Sequence, residues 1–288
     1  MTSCCVLLLA GFLPVVVVSA EDQSSVEQSL PDLSDRWVVS VTAVDARHDG
    51  MEETFRLNPM MRLPNAAPFS AREYLINWEE EDIQASVSFR LLRVRHACLW
   101  FGLTGGAGRG RFHASNAKQQ SEEFWGPEVG FLSGYTAGIE LRMTPERGPF
   151  LRGTYAWQTV ETDDNRLHLT SPYKRPNQGD NTSAVFKWEE DVLSITAGWS
   201  FRFGTPMIGT RCSTFDLSKD LSYWLPDDGS DPIVTALNSE GEHYHYRYKS
   251  NWETFVGVEW DITRSITLGC DLGVTGDRYN SANMRINF

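Results

Sequence analysis

The sequence predicts an all-β protein: a transmembrane, antiparallel, up-and-down β-barrel of about ten strands, with eight or twelve as the alternatives. Three observations predict it. Period-two alternation runs through almost the whole chain, the apolar faces so defined carry no charged residue, and the links between strands alternate between short and long.

Composition bounds the reading first. The 288 residues carry 38 Asp and Glu against 26 Lys and Arg, a net charge of -12, which argues against a nucleic-acid partner because phosphate binding needs a basic patch. The mean hydropathy of -0.34 and the single long apolar run exclude a multi-helix membrane protein. Yet aromatics make up 12%, ten of them Trp, so the apolar residues are spread over many strands rather than pooled in one core.

The one apolar run, Cys4 to Val18, is followed by Val18-Ser19-Ala20 with small residues where a signal peptidase cuts. Residues 1–20 therefore read as a secretory signal peptide, too short for a spanning helix, although Met1-Thr2-Ser3 lacks the usual basic residue. Residues 21–35 read as a flexible acidic segment and 36–288 as the barrel. Beyond the signal, Cys98, Cys212 and Cys270 are odd in number and widely spaced, so no disulfide framework is expected. Neither CxxC nor HExxH spacing occurs; the sequence predicts no metal site and no cofactor.

Each strand follows from its alternation. Trp37, Val39, Val41 and Ala43 alternate with Val38, Ser40 and Thr42. Ile83, Ala85, Val87, Phe89 and Leu91 alternate with Gln84, Ser86, Ser88 and Arg90. Tyr135, Ala137, Ile139 and Leu141 oppose Thr136, Gly138, Glu140 and Arg142, and Leu151, Gly153, Tyr155 and Trp157 oppose Arg152, Thr154, Ala156 and Gln158. The second half repeats the scheme with Leu193 to Phe203, Val256 to Ile262 and Ile266 to Val274, and the chain ends on Met284, Ile286 and Phe288 against Arg285 and Asn287. The predicted strands are 36–46, 72–91, 97–112, 127–143, 150–162, 183–203, 210–224, 243–262, 265–276 and 279–288; the weakest signal is 210–224, where Phe215 and Leu217 are nearly all the apolar content. No sustained helical period is present.

Two rules separate a membrane barrel from a soluble sandwich. A Lys or Arg facing lipid at the midplane of a barrel costs ~2–4 kcal/mol, and none stands on the apolar faces. Connection length is the stronger rule. Short links near 92–96, 144–149, 204–209 and 263–264 alternate with long ones near 46–71, 113–126, 163–182 and 225–242, a regularity that Greek-key crossovers have no reason to produce.

A cleavable signal, alternating strands with long and short links, and a last strand Met284-Arg285-Ile286-Asn287-Phe288 ending on an aromatic together resemble the bacterial outer-membrane β-barrel proteins. The resemblance is architectural and covers nearly all of the chain after the signal. It implies the outer membrane as the location, contact with outer-membrane lipid and lipopolysaccharide, and a monomer. It also implies recognition of Met284, Ile286 and Phe288 by the barrel-assembly machinery. In size and strand number the chain further resembles the omptin proteases, which carry paired aspartates and an Asp–His couple at the rim. The comparable material here is Asp227, Asp228 and Asp231 with Glu242-His243; the dipeptide order differs and no acidic pair matches on the second long link, so solvated loop acids are the simpler reading.

Three other features were open to function. Trp78, Trp188 and Trp252 recur in similar contexts, Asn-Trp-Glu-Glu, Lys-Trp-Glu-Glu and Asn-Trp-Glu, and predict part of an interfacial aromatic girdle. His243 to Tyr248 alternates His and Tyr, which predicts a Tyr row at the interface rather than a metal site. The inward charges Arg90, Glu140, Arg142, Arg152, Arg202, Glu259, Asp261, Asp271 and Arg285 mix both signs, which favours a lumen plugged by a charge network over a narrow Arg-lined pore. Gly105, Gly106, Gly108 and Gly110 are predicted to relieve crowding. The expected role is structural, adhesive or surface ligand binding through the long loops. The alternatives are a narrow diffusion channel, an omptin-like rim protease, and a secreted soluble all-β protein such as a lectin.

Overall fold

The computed structural model describes residues 37–57, 75–116, 121–144, 147–162, 165–166, 182–224, 229–249, 252–263, 265–275 and 279–288. The predicted signal peptide and acidic segment therefore lie outside the described residues.

Ten strands close a ring: β1 (Trp37–Asp49), β3 (Leu75–Val94), β4 (Ala97–Asn116), β5 (Ser121–Arg142), β6 (Gly148–Thr162), β8 (Thr182–Ser200), β9 (Thr205–Tyr223), β11 (Glu253–Asp261), β12 (Ile266–Gly273) and β13 (Tyr279–Asn287). Every pairing is antiparallel between successive members, and β13 returns to β1, with the Phe288 N–H donating to the Trp37 carbonyl at 3.0 Å. Closure removes the sheet edges that would otherwise present unpaired backbone groups. The described short links join β3 to β4, β5 to β6, β8 to β9 and β11 to β12, all at one end of the ring.

At the other end the strands run on, further than alternation alone predicted. β2 (Glu52–Leu57) pairs with β10 (Glu242–Lys249), and β10 continues β9 pairing above β11; β7 (Asn165–Arg166) adds a short pairing to β8. The link expected at 113–126 is largely hairpin, since β4 and β5 stay paired to Asn116 and Ser121. One element was missed outright: α1 (Pro232–Glu240), a nine-residue helix. It begins on Pro, which fits the first helical turn, and ends on Gly241 at φ +67°. A helix of this length holds too few turns for a period to stand out in sequence.

The burial of β3, β8 and β9 reverses along the length of each strand. In the short-turn half of β3, Ile83, Val87 and Leu91 face out and are exposed while Ser86, Ser88 and Arg90 face in. In its long-link half, Glu79 and Glu81 face out and Ile76 and Trp78 are buried inside. The same exchange occurs in β8 (Ile195 and Trp199 out below, Phe186 and Trp188 in above) and in β9 (Ile208 out below, Phe215 and Leu217 in above). The weak apolar signal of 210–224 has this origin: its outer face there carries Asp216, Ser218 and Asp220, and its apolar residues point inward.

The short-turn half thus wears a continuous apolar belt. In β3 it matches the roughly 9–11 residues that a tilted strand needs to cross a bilayer. Trp37, Trp199, Phe201, Phe203, Trp260 and Phe288 ring its short-turn edge, all exposed. Tyr135, Tyr155 and Trp157 cluster on the outer face at the upper edge, Tyr135 stacked on Trp157 at 5.6 Å and 6.1 Å from Tyr155. These are the residues placed as interfacial aromatics stand.

Gly108 and Gly110 on β4 face inward where indoles lie against the backbone: a Cβ at Gly110 would overlap the Trp78 ring, and one at Gly108 would meet Trp188 at 3.0 Å. Gly110→Val is expected to cost about 1–3 kcal/mol through overpacking, read as a lower urea midpoint for the folded, heat-modifiable form; Gly105→Ala on the same strand, where a Cβ would meet nothing nearer than the Leu132 carbonyl at 3.8 Å, is the comparison for backbone effects.

Candidate functional site

The interior holds three layers. Next to the short turns is a polar cavity of about 590 Å³, lined by Ser40, Ser86, Arg90, Trp100, Thr154 and Arg285 among others. Its charged residues pair across strands. Arg152 donates to Glu140 at 2.8 Å and to Glu259 at 2.9 Å, Arg142 also bonds Glu140, and Arg285 reaches Glu259 at 2.6 Å. Arg90 donates to the Asn287 side-chain carbonyl at 3.0 Å, and Thr267 and Ser281 donate to Asp261 and Asp271 at 2.8 and 3.2 Å. Arg202 lines the same cavity at its short-turn mouth. The predicted inward charges other than Asp271, which lines an adjoining smaller cavity, stand around this one chamber and leave it hollow.

Above the chamber, Gln84 donates to Gln158 at 2.8 Å, and Gln158 in turn to Glu190 at 2.9 Å. Glu190 belongs to a middle layer with His48, Glu80 and Asp82, all buried. One ligand atom each from His48, Glu80 and Glu190 lies within 4.8 Å of the others, and His48 Nε2 is 3.7 Å from Glu80 Oε1. No well-formed hydrogen bond reaches either oxygen of Glu80 or of Asp82; the indole N–H groups of Trp78 and Trp188 are the donors beside Glu80, and Gln84 and the Arg109 backbone those beside Asp82.

The third layer closes the barrel. Trp78, Phe112, Phe186, Trp188, Phe215 and Leu217 are all fully buried or nearly so, and join a cluster with Ile76, Leu132, Val160 and Tyr246. Trp78 of β3 meets Trp188 and Phe186 of β8 at 4.9 and 5.7 Å, and Phe112 of β4 meets Tyr246 of β10 at 5.4 Å. These contacts cross the lumen, since three strands, β4, β5 and β6, stand between β3 and β8 around the ring. Burial of each such side chain contributes about 1.5–3 kcal/mol relative to exposure.

Two sequence expectations are corrected here. Trp78 and Trp188 do not belong to an outer girdle: both are 0% exposed, because their parity on β3 and β8 points inward. Only Trp252, half exposed, stands on the outer surface. Nor do Tyr244, Tyr246 and Tyr248 form an interfacial row; they face in, and it is His243, His245 and Arg247 that face out. Tyr223 and Tyr244 donate to Glu242 at 2.7 and 2.9 Å, and burial, reinforced by that carboxylate, pushes the Tyr244 phenol up from its ordinary value.

Asp227 and Asp228 lie outside the described residues. His243 contacts Asp220 at 2.8 Å on the exposed outer wall, away from the buried acids, so the structure does not unite it with an interior carboxylate pair. Sequence reasoning missed His48, Glu80, Asp82 and Glu190. The signal was present: Glu80 and Asp82 share parity with Gln84, Ser86 and Ser88, the inward face, and so does Glu190 with Ser194 and Thr196.

No protein-family model and no curated sequence matches the chain. Among solved structures it is similar to the outer membrane protease OmpT from Escherichia coli, at 9% identity over 91% of this chain and 99% of that one, with a TM-score of 0.44. It is also similar to the transport unit of the autotransporter AIDA-I from Escherichia coli (9% identity, 96% and 97% covered, TM-score 0.33) and to the Ralstonia pickettii toluene transporter TbuX (8%, 88% and 90%, TM-score 0.32). A protease, an autotransporter unit and a transporter share no activity, and none is carried to this chain.

Arg152 holds two carboxylates at once. Arg152→Ala is expected to cost about 1–3 kcal/mol, less than the ~3–5 kcal/mol of a fully buried pair because the cavity can solvate Glu140 and Glu259. In that variant Arg142 still faces Glu140 and Arg285 still faces Glu259, so adding Glu140→Gln and Glu259→Gln should cost less in denaturant midpoint than the sum of the separate losses; additive losses would show that the network does not act as a unit.

Proposed function

We propose that the chain is a monomeric outer-membrane β-barrel with a closed lumen, whose role is structural, adhesive or ligand-binding at the cell surface. One observation carries the reading: the aromatic layer crosses the lumen and is fully buried, so a solute entering the polar chamber meets Trp78, Trp188, Phe186 and Phe215 before it meets the far side. A diffusion channel needs a continuous polar path, and the polar path here ends at the buried layer.

The outer surface supports the orientation. Arg109, Arg111 and Lys187 stand above the apolar belt with Glu79, Glu81 and Glu189, placed to meet headgroups of outer-membrane lipid and lipopolysaccharide. The short turns then face the periplasm, with the hollow chamber opening that way, and the long links face outward. A signal peptide cleaved after Ala20 and recognition of Met284, Ile286 and Phe288 by the assembly machinery belong to the same reading, as does Trp252 in the outer aromatic girdle.

Conductance tests it. Folded protein, identified by its heat-modifiable mobility, should insert into planar bilayers without stepwise current; steady steps from that material would replace this reading with the narrow channel. The truncation lacking Phe288 should reach the outer membrane at several-fold lower levels than the full chain, scored by immunoblot of membrane fractions, and equal levels would remove the assigned role of the terminal strand.

A further inference from the structure

The middle layer has an electrostatic imbalance. Among the described charges buried in the upper interior, Glu253 is matched by Arg211 at 3.1 Å, and Glu242 by the Tyr223 and Tyr244 hydroxyls. Lys219 sits over the rings of Phe112 and Tyr244 at 4.6 and 4.5 Å. Glu80, Asp82 and Glu190 then share one imidazole, His48, without a Lys or Arg salt bridge among them. Carboxylates out of water are costly unless a cation or several hydrogen bonds replace the lost solvation. Glu80 is 0% exposed and has no Lys or Arg partner; the indole N–H groups of Trp78 and Trp188 are the donors beside it, and one of its oxygens shares the space between His48 and Glu190.

We propose that His48, Glu80 and Glu190 bind a divalent cation of the zinc class inside the barrel, with Asp82 as a neighbouring carboxylate. The donor set is one imidazole nitrogen and two carboxylate oxygens, three protein ligands that a water can complete to a tetrahedron, a set that suits zinc. Two ligands at about 2.0–2.2 Å from one tetrahedral ion stand roughly 3.3–3.6 Å apart; His48 Nε2 and Glu80 Oε1, at 3.7 Å, are already near that, and Glu190, within 4.8 Å of both, has to close in by about 1 Å through side-chain rotation. The neighbouring strands β1 and β3 would be tied to β8 on the opposite side of the ring. The chamber supplies the access route, since Gln84 and Gln158 line it and Gln158 touches Glu190. His48 is further fixed by stacking on Phe215 at 4.2 Å, which orients the ring as a ligand must be oriented.

The site would also explain the glycine at 108. A Cβ there would press on Asp82 at 2.8 Å and on Trp188, narrowing the space between the carboxylates and the aromatic layer.

The test uses the full-length mature chain, folded in detergent, stripped with a chelator and dialysed against zinc. Elemental analysis should give one zinc per chain, and zinc should raise the unfolding temperature. Glu80→Gln with Glu190→Gln, which preserves shape, should lower affinity by about tenfold or more, while His243→Ala, which removes the exposed imidazole beside Asp220, should leave the stoichiometry unchanged. Cobalt binding to the unmodified chain gives a second readout that needs no variant: a visible band of low-coordinate cobalt with nitrogen and oxygen ligands and no thiolate charge-transfer band. Absence of stoichiometric metal, loss of the zinc with His243→Ala, full retention in the double Gln variant, or a thiolate band from Cys98, Cys212 or Cys270 would each overturn the proposal.

Discussion

Everything in this molecule depends on one constraint: each long strand meets two solvents in succession, and the side-chain period of two makes its faces answer to both. Where lipid lies outside, the outer face must be apolar and the inner face is left polar. Where water lies outside, the outer face turns polar and the inner face turns apolar. The backbone does nothing to mark the change. Ile83 and Glu81 are neighbours on one face of the same strand, and the boundary falls between them.

The inversion creates three interiors with three ways of handling polarity. In the chamber, charges are paired and partly hydrated, so Arg152 can hold Glu140 and Glu259 without filling the space between them. In the upper layer the polar groups are held individually, Glu242 by the Tyr223 and Tyr244 hydroxyls and Lys219 over two aromatic rings, while aromatic side chains interlock from β3, β4, β8, β9 and β10. The middle layer takes its chemistry from neither. It sits too deep for solvent and still carries the acids, which is why the imbalance collects at His48, Glu80, Asp82 and Glu190.

The lipid-facing half was legible because its rule is strict: a charged residue on that face is penalised, so Val87, Ile195 or Leu268 announce the belt by what is missing around them. Ring order and strand number followed from the alternation of link lengths. The upper half was not legible by the same rule, because there apolar residues mean the opposite direction. Trp78 and Trp188 were read as interfacial on the strength of their flanking acids, when those flanking acids, Glu79 and Glu189, are themselves the outward residues that force Trp inward. The same parity places Glu80 and Glu190 inside. Reading parity onward from the belt, instead of residue type, would have found both the aromatic layer and the acid layer. The pairing of β3 with β8 across the lumen could not be found that way, since it depends on ring closure and not on any local pattern.

Closure and the buried layers therefore require each other. Trp78 and Trp188 lie on strands far apart along the ring, and they touch only when β1 has paired with β13 and β8 with β9. An open sheet would expose the aromatic face to water in its upper half while its lower half sat in lipid. The loop-closure entropy of such distant contacts must be met before burial rewards it, and the belt alone cannot reward it, because lipid solvates the apolar outer face equally well in an open or a curved sheet. The backbone groups of the seam and the apolar inner face above the belt are what favour the ring. It follows that the upper half, which never touches lipid, supplies much of the drive to close the half that does, and that the acid layer between them sits where the two halves are mechanically joined.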